Sequence, residues 1–161
     1  MKLFKVRNVK TPTRGSTYSA GIDLYVPDEI IVRREGKYVN FGKKVEIPKG
    51  GSVLIASGIK ADVPNNCALI AFNKSGVAAS KGLSVGGCVV DADYLGEIHI
   101  HLNNVGATKQ IINAGEKIVQ MLCIPIQYEP IDIVESEEEC FKEKLETSER
   151  GSGGFGSTGT E

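Results

Sequence analysis

The sequence predicts an all-β fold, a closed barrel or jelly roll carrying one short helix. Three observations lead there. Short runs rich in β-branched residues follow one another closely, each bounded by Gly, Pro or Asn. No long stretch repeats its apolar residues at the helical period. A chain of 161 residues, 41% hydrophobic and 24% charged, suits one domain with a substantial core. Many short strands in such a domain bury their faces by closing into a barrel or by packing two sheets.

The runs can be taken in order. "KLFKV", "IDLYV", "EIIVR" and "KYVNF" come first, and "VRREGKYVNFGKK" reads as an exposed hairpin turning at Glu35–Gly36. "KVEIP", the long "SVLIASGIKADV" and "CALIAF" follow. Ser75–Lys81, "SGVAASK", is a run of small residues that predicts the one short helix, started by Lys74 or Ser75. "GEIHIHLNN" and "EKIVQMLCIPI" complete the strands. Residues 134–150 are charged and largely strandless, and a glycine-rich tail closes the chain. The expected division is a β domain over 1–140 and a C-terminal arm over 141–161.

Composition narrows the function. The net charge of −1 and the lack of a basic block argue against bulk nucleic-acid binding, whereas a phosphorylated small molecule needs only a few placed cations. "MKLFKVRNVK" has no long apolar region, so neither a signal peptide nor a membrane span is expected. Cys67, Cys88, Cys123 and Cys140 form no CxxC pair and read as reduced thiols, the first three in apolar strands, which points to an intracellular setting.

Two interior stretches and the tail carry chemistry. "GGCVVDADYLGE", Gly86 to Glu97, reads as a hairpin returning through a tight turn. On extended backbone Asp91 and Asp93 share a side, and Asp91 follows a buried "VV" that limits its access to water, which suits a general base. Both carboxylates equally fit a turn with no chemistry. "NKSGVAASKG" sets Lys74 and Ser75 before the helix, where phosphate can bind; an ordinary serine N-cap and a solvated lysine fit the same residues. Asp23 and Gln120 among apolar neighbours fit hydrogen-bonded core polars. "ERGSGGFGSTGTE" combines free backbone amides, hydroxyls, Arg150 and the single ring of Phe155, a composition suited to closing over a nucleotide.

"AGIDLY", "NKSGVAASKG", "GGCVVDADYLGE", "GEKIVQML" and "RGSGGFGSTG" stand in the order of the five motifs of trimeric deoxyuridine triphosphatases, and from about residue 10 onward the chain resembles that family. The spacing from "KGLSVGG" to "DADY" matches its cellular eukaryotic and poxviral members without a gap. The resemblance implies a jelly-roll β-barrel of the dUTPase type and a homotrimer with shared active sites. It implies hydrolysis of dUTP to dUMP and pyrophosphate, which limits uracil in DNA and supplies dUMP for dTMP synthesis. Asp91 matches the base that activates water against the α-phosphorus. Tyr94 matches the residue that packs on deoxyribose and excludes a 2′-hydroxyl. The backbone of Gly86, Gly87, Cys88, Val89 and Val90 matches the uracil-reading hairpin.

Lys74, Ser75 and Gly76 match the second motif, with Ser75 near the α–β bridge oxygen, and Gln120 matches a glutamine near the α-phosphate and water. Arg150 matches the contact to the terminal phosphates, Phe155 the ring on uracil, and Gly156, Ser157 and Thr158 the phosphate-cradling lid. The implied cofactor is Mg²⁺, held by the triphosphate and waters with no direct protein ligand, Asp23 and Gln120 lying nearby. Departures are Lys74 for arginine, Cys88 for a frequent glycine, Leu95 after the tyrosine, and Glu116–Lys117 for Asp-Arg. Cys88 would be strained if its backbone needed positive φ.

Other readings remain beside this one. A dCTP deaminase shares the second and third motifs but has glutamate at the position of His101 and lacks the glycine-rich close. A nucleotide-responsive binding protein would use the 33–44 hairpin as its contact surface. His99 and His101 could share a zinc only with further ligands that the sequence does not signal.

Overall fold

The computed structural model describes residues 1–142, 144–149 and 151–153, which fall into two compact units, 1–127 and 128–161. In the first unit the strands are β1 (Lys2–Lys5), β2 (Ile22–Tyr25), β3 (Ile31–Arg34), β4 (Lys37–Asn40), β5 (Lys44–Ile47), β6 (Ser52–Ala56) and β7 (Ile59–Asp62). After β8 (Cys67–Asn73) comes helix α1 (Ser75–Lys81). The remaining strands are β9 (Leu83–Val85), β10 (Val89–Val90), β11 (His99–Asn104), β12 (Gln110–Asn113) and β13 (Lys117–Pro125).

Two larger sheets, ordered β10-β8-β13-β2 and β4-β3-β6-β11-β9, face each other, and the pairs β1-β7 and β12-β5 complete the layers. One core joins them. Leu69, Val119 and Met121 come from the first sheet, Val32, Ile55 and Leu102 from the second, and Ile47 and Ile112 from the β5–β12 pair. Alternation puts them there: β11 buries every second residue, so Ile100 and Leu102 point inward while His99, His101 and Asn103 stay on the outer face. This is the jelly-roll arrangement the strand-rich sequence predicts.

The expected β3–β4 hairpin is present, with Glu35 at φ 47° and Gly36 at φ 78° in the turn. Both positive φ values match the right-handed twist of the flanking strands. The predicted helix is found at the predicted residues and ends at Gly82, whose left-handed conformation closes it. The run at 52–63 is two strands, β6 and β7, because the chain turns at Ser57–Gly58. β12 has no counterpart among the sequence-predicted runs; its "QIIN" is short, yet Ile112 is fully buried against β5.

The second unit contains α2 (Glu137–Phe141) and α3 (Lys144–Thr147), two helices beyond the one expected. Ser136 caps α2, its Oγ accepting a hydrogen bond from the Glu139 amide at 3.1 Å. Three glutamates in the first turn of α2 complement the helix dipole. No helix among the described residues is long and apolar enough to cross a membrane.

A buried polar residue ties down the end of β11. Asn104, 1% exposed, donates from Nδ2 to the carbonyls of Ile47, Pro48 and Thr108 at 2.9–3.1 Å, and its Oδ1 accepts from the Gly106 amide. Removing the amide group strands these partners away from water. Asn104→Ala should therefore lower stability by about 2–4 kcal/mol, read as an earlier midpoint in urea unfolding; a loss below about 0.5 kcal/mol would contradict this account.

Candidate active site

A cavity of about 200 Å³ opens where the two sheets separate. Ile98, Met121 and Ala71 form its apolar floor, with Ile98 and Met121 almost fully buried. The segment from Gly87 to Asp91 forms one wall, and Tyr94 and His99 complete it.

The segment between β9 and β10 crosses from one sheet to the other, and that crossing makes the wall. Its start is held to the outer face of β11. The Gly86 amide donates to the His101 carbonyl at 2.9 Å, and the Gly87 amide donates to His101 Nδ1 at 2.9 Å. Only glycine fits at position 86, because a Cβ there would overlap the His101 imidazole. The crossing ends on β8: the Ala71 amide donates to the Cys88 carbonyl at 2.8 Å, and Val89–Val90 pair with Ile70 and Leu69. Cys88 is not among the residues with positive φ, so the cysteine sits there without backbone strain.

Asp91 and Asp93 lie in a turn closed by the Tyr94 amide donating to the Asp91 carbonyl at 3.2 Å. This corrects the extended-strand expectation that put both carboxylates on one side, and the hairpin expectation as well, because β10 pairs with β8 while β11 pairs with β6 and β9. Asp91 lines the cavity and Asp93 does not. The preceding valines are not a buried pair either: β10 is an edge strand with β8 on one side only, so Val90 faces the core while Val89 is 58% exposed. Asp91 is itself exposed, and no hydrogen bond or ion pair to the described residues holds its carboxylate.

Tyr94 lies across Gly96, where a Cβ would overlap its ring, and its hydroxyl donates to the Glu97 carbonyl at 2.9 Å. The same carbonyl faces His99 Nδ1 at 2.9 Å. A carbonyl only accepts, so the His99 ring proton is on Nδ1, and Nε2 accepts from the Tyr38 hydroxyl at 3.1 Å. The Tyr38 and His99 rings stack with centroids 5.8 Å apart.

Glu97 is in turn clamped by its side chain. Arg7 grips both carboxylate oxygens, Nε at 2.8 Å and Nη2 at 2.9 Å, and the Gly58 amide donates to Oε1 at 2.7 Å. Burial alone would raise the Glu97 carboxyl, but the Arg7 and Gly58 hydrogen bonds outweigh it and hold the group below the usual carboxylate range. Glu97 and Tyr38 are functional candidates that sequence reasoning missed, and His99 was weighed there only as a zinc ligand. Only the alternation of "EIHIH", which sets Glu97, His99 and His101 on one strand face, could have pointed to Glu97.

A second cluster lies at the junction of β2, β8, β13 and α1. Asp23, 6% exposed, accepts from Lys74 Nζ at 2.5 Å and pairs with Lys117 Nζ at 3.2 Å. Burial raises the Asp23 carboxyl, and the two lysines together bring it below its ordinary value. Gln120 stands opposite Asp23 in the sheet and donates to the Asn73 carbonyl at 2.9 Å. Lys74 is the N-cap of α1 without a side-chain cap, and Ser75 is the first helical residue. Neither the serine cap nor the solvated lysine is found. Ser75 and Gly76 are exposed.

The structure thus brings Gly87, Cys88, Val89, Val90, Asp91 and Tyr94 together at one cavity. Asp23, Lys74, Ser75, Gly76, Gln120 and Gly86 do not line it. Arg150, Phe155, Gly156, Ser157 and Thr158 lie outside the described residues. Among the described residues no three His, Cys, Asp or Glu side chains gather as a metal cluster, and both oxygens of Asp23 are engaged by lysines.

Known proteins of one family are similar to this chain. The family model for dUTPase matches residues 39–159. The "Deoxyuridine 5'-triphosphate nucleotidohydrolase" of Yarrowia lipolytica is 33% identical over 157 residues, covering 97% of this chain and 86% of that protein. The protein of the same description from Rabbitpox virus is 33% identical over 155 residues, covering 96% and 89%. Among solved structures, Staphylococcus bacteriophage 80alpha dUTPase with dUpNHpp superposes with a TM-score of 0.77 over 98% of this chain and 97% of that chain. At 20% identity that likeness is one of fold.

The Glu97 clamp carries a prediction about acid. Its carboxyl is depressed in the folded state, so its stabilisation is complete above the unfolded value of about 4.3 and is lost as pH falls through the folded value. Glu97→Gln should cost about 1–3 kcal/mol at pH 7, and the gap to wild type should narrow in urea unfolding as pH falls below the unfolded value of about 4.3. A gap that is constant with pH would contradict the clamp.

Proposed function

The chain belongs to the dUTPase family, and we propose that it hydrolyses dUTP to dUMP and pyrophosphate at the cavity walled by Gly87–Asp91 and Tyr94. The observation that carries the proposal is the convergence of the third-motif residues on one cavity sized for a nucleobase and sugar. The backbone of the crossing segment offers amide and carbonyl groups to a uracil edge. Tyr94, pinned over Gly96 by its bond to the Glu97 carbonyl, presents its ring where deoxyribose would rest. A ring held at both ends cannot yield to an added 2′-hydroxyl.

Asp91 is the candidate base. Its carboxylate lines the cavity, is exposed and has no partner among the described residues, so it is available to take a proton from water. The water then attacks the α-phosphorus, and pyrophosphate leaves. A Mg²⁺ held by the triphosphate and its waters would supply charge neutralisation there. Asp23 and Gln120 would lie near it, Asp23 acting through the lysines it pairs rather than as a ligand.

Lys74, Ser75, Gly76 and Gln120 stand away from this cavity, which favours a homotrimer whose sites combine residues from different chains. In that assembly the 141–161 arm, with Arg150, Phe155, Gly156, Ser157 and Thr158, closes over a nucleotide bound between other subunits. The free cysteines suit an intracellular enzyme.

Two measurements test this reading. Asp91→Asn should keep nucleotide affinity and lower kcat by about 10²–10⁴-fold, the usual worth of a general base, in an assay of pyrophosphate release from dUTP. Asp93→Asn should change kcat little, and the reverse order of effects would overturn the assignment. Mixing Asp91→Asn chains with chains truncated before Arg150 should restore activity, since mixed trimers would contain some sites with every intact part. Mixtures no more active than either component would contradict shared sites.

A further inference from the structure

The family motifs assign no role to Tyr38, yet its contacts lead straight to the cavity. It lies on β4, in the hairpin whose register is set by the Glu35–Gly36 turn. β3 pairs with β6 at Val32 and Ile55, and the hairpin carries Tyr38 over the outer face of β11. There the Tyr38 ring stacks on His99 and its hydroxyl donates to Nε2. His99 lines the cavity, and its Nδ1–H shares the Glu97 carbonyl with the Tyr94 hydroxyl.

We propose that Tyr38 is a positioning residue for the reaction, locking the His99 wall of the cavity and, through the shared Glu97 carbonyl, the sugar-facing Tyr94. The physical argument concerns freedom of rotation. Imidazole is planar with two ring nitrogens on different edges, so a partner at each nitrogen and a ring against one face leave it a single orientation. Take away the hydroxyl and the ring can turn about its Cβ–Cγ bond, releasing its hold on the carbonyl that also anchors Tyr94. Both walls then have to be ordered by the nucleotide itself, and that ordering weakens binding. Chemistry at Asp91 is not touched, because no hydrogen bond among the described residues joins Tyr38 or His99 to Asp91.

The inference rests on the proposed function and is tested by steady-state kinetics with dUTP. Tyr38→Phe keeps the ring and removes only the hydroxyl; it should raise KM about 3–10-fold with kcat within twofold. His99→Asn retains an N–H near the Nδ1 position but loses the acceptor for Tyr38, and should raise KM similarly. In the double variant the two effects should not add, since each breaks the same bond. Thermal unfolding of Tyr38→Phe should match wild type, because Tyr38 is 55% exposed. A Tyr38→Phe enzyme with wild-type KM, or full additivity with His99→Asn, overturns the inference while leaving the proposed function in place. A wild-type protein that releases no pyrophosphate from dUTP overturns the proposed function first.

Discussion

A carboxylate gripped by three N–H groups organises this molecule. Glu97 is held by both arms of Arg7 and by the Gly58 amide, so a charge that burial would penalise is satisfied from one side. The grip fixes the residues that lead into β11 against the N-terminal segment and the β6–β7 turn. It fixes the residue whose carbonyl both Tyr94 and His99, two lining residues of the cavity, use. One residue therefore joins the fold to the site: its side chain answers to the core and its backbone to the cavity wall. A wall built this way is stiff without a covalent tie, which suits the sugar discrimination proposed for Tyr94.

Charge is distributed differently at the second cluster. Asp23 is nearly buried and engages two lysines, leaving a local excess of positive charge between β2, β13 and the start of α1. Such an arrangement favours an anion arriving from outside, and a triphosphate is the anion the proposed function brings. Lys74 lacks the forked geometry of the arginine common in the family, but Asp23 restricts its ammonium to one direction. That restriction supplies part of the positioning that a planar guanidinium would give by itself. The separation of this cluster from the cavity of Asp91 makes physical sense if the two meet across a subunit boundary.

Much of the fold was legible because its signals are local. β-branched runs bounded by turn residues marked most strands, and Glu35–Gly36 marked the hairpin turn. β12 escaped because four residues carry too little pattern, although Ile112 is fully buried. Ser136 with Glu139 is a capping signal for α2, hidden in a short, highly charged run without a helical apolar repeat. The valines before Asp91 misled because sequence does not show that β10 is an edge strand. At the site, a tight turn at "DADY" was legible from its residue types, but that the turn separates Asp91 from Asp93 and joins strands of different sheets was not. The Arg7–Glu97 and Tyr38–His99 pairs were not, since they join residues 90 and 61 positions apart with no pattern to connect them.

The most direct test of the central claim is a crystal structure of the protein with a non-hydrolysable dUTP analogue and Mg²⁺. The account predicts uracil against the Gly87–Val90 backbone, deoxyribose under the Tyr94 ring, and the Tyr94 hydroxyl still on the Glu97 carbonyl. A nucleotide bound elsewhere, or a Tyr94 ring swung away from Gly96 with the sugar in its place, would contradict it.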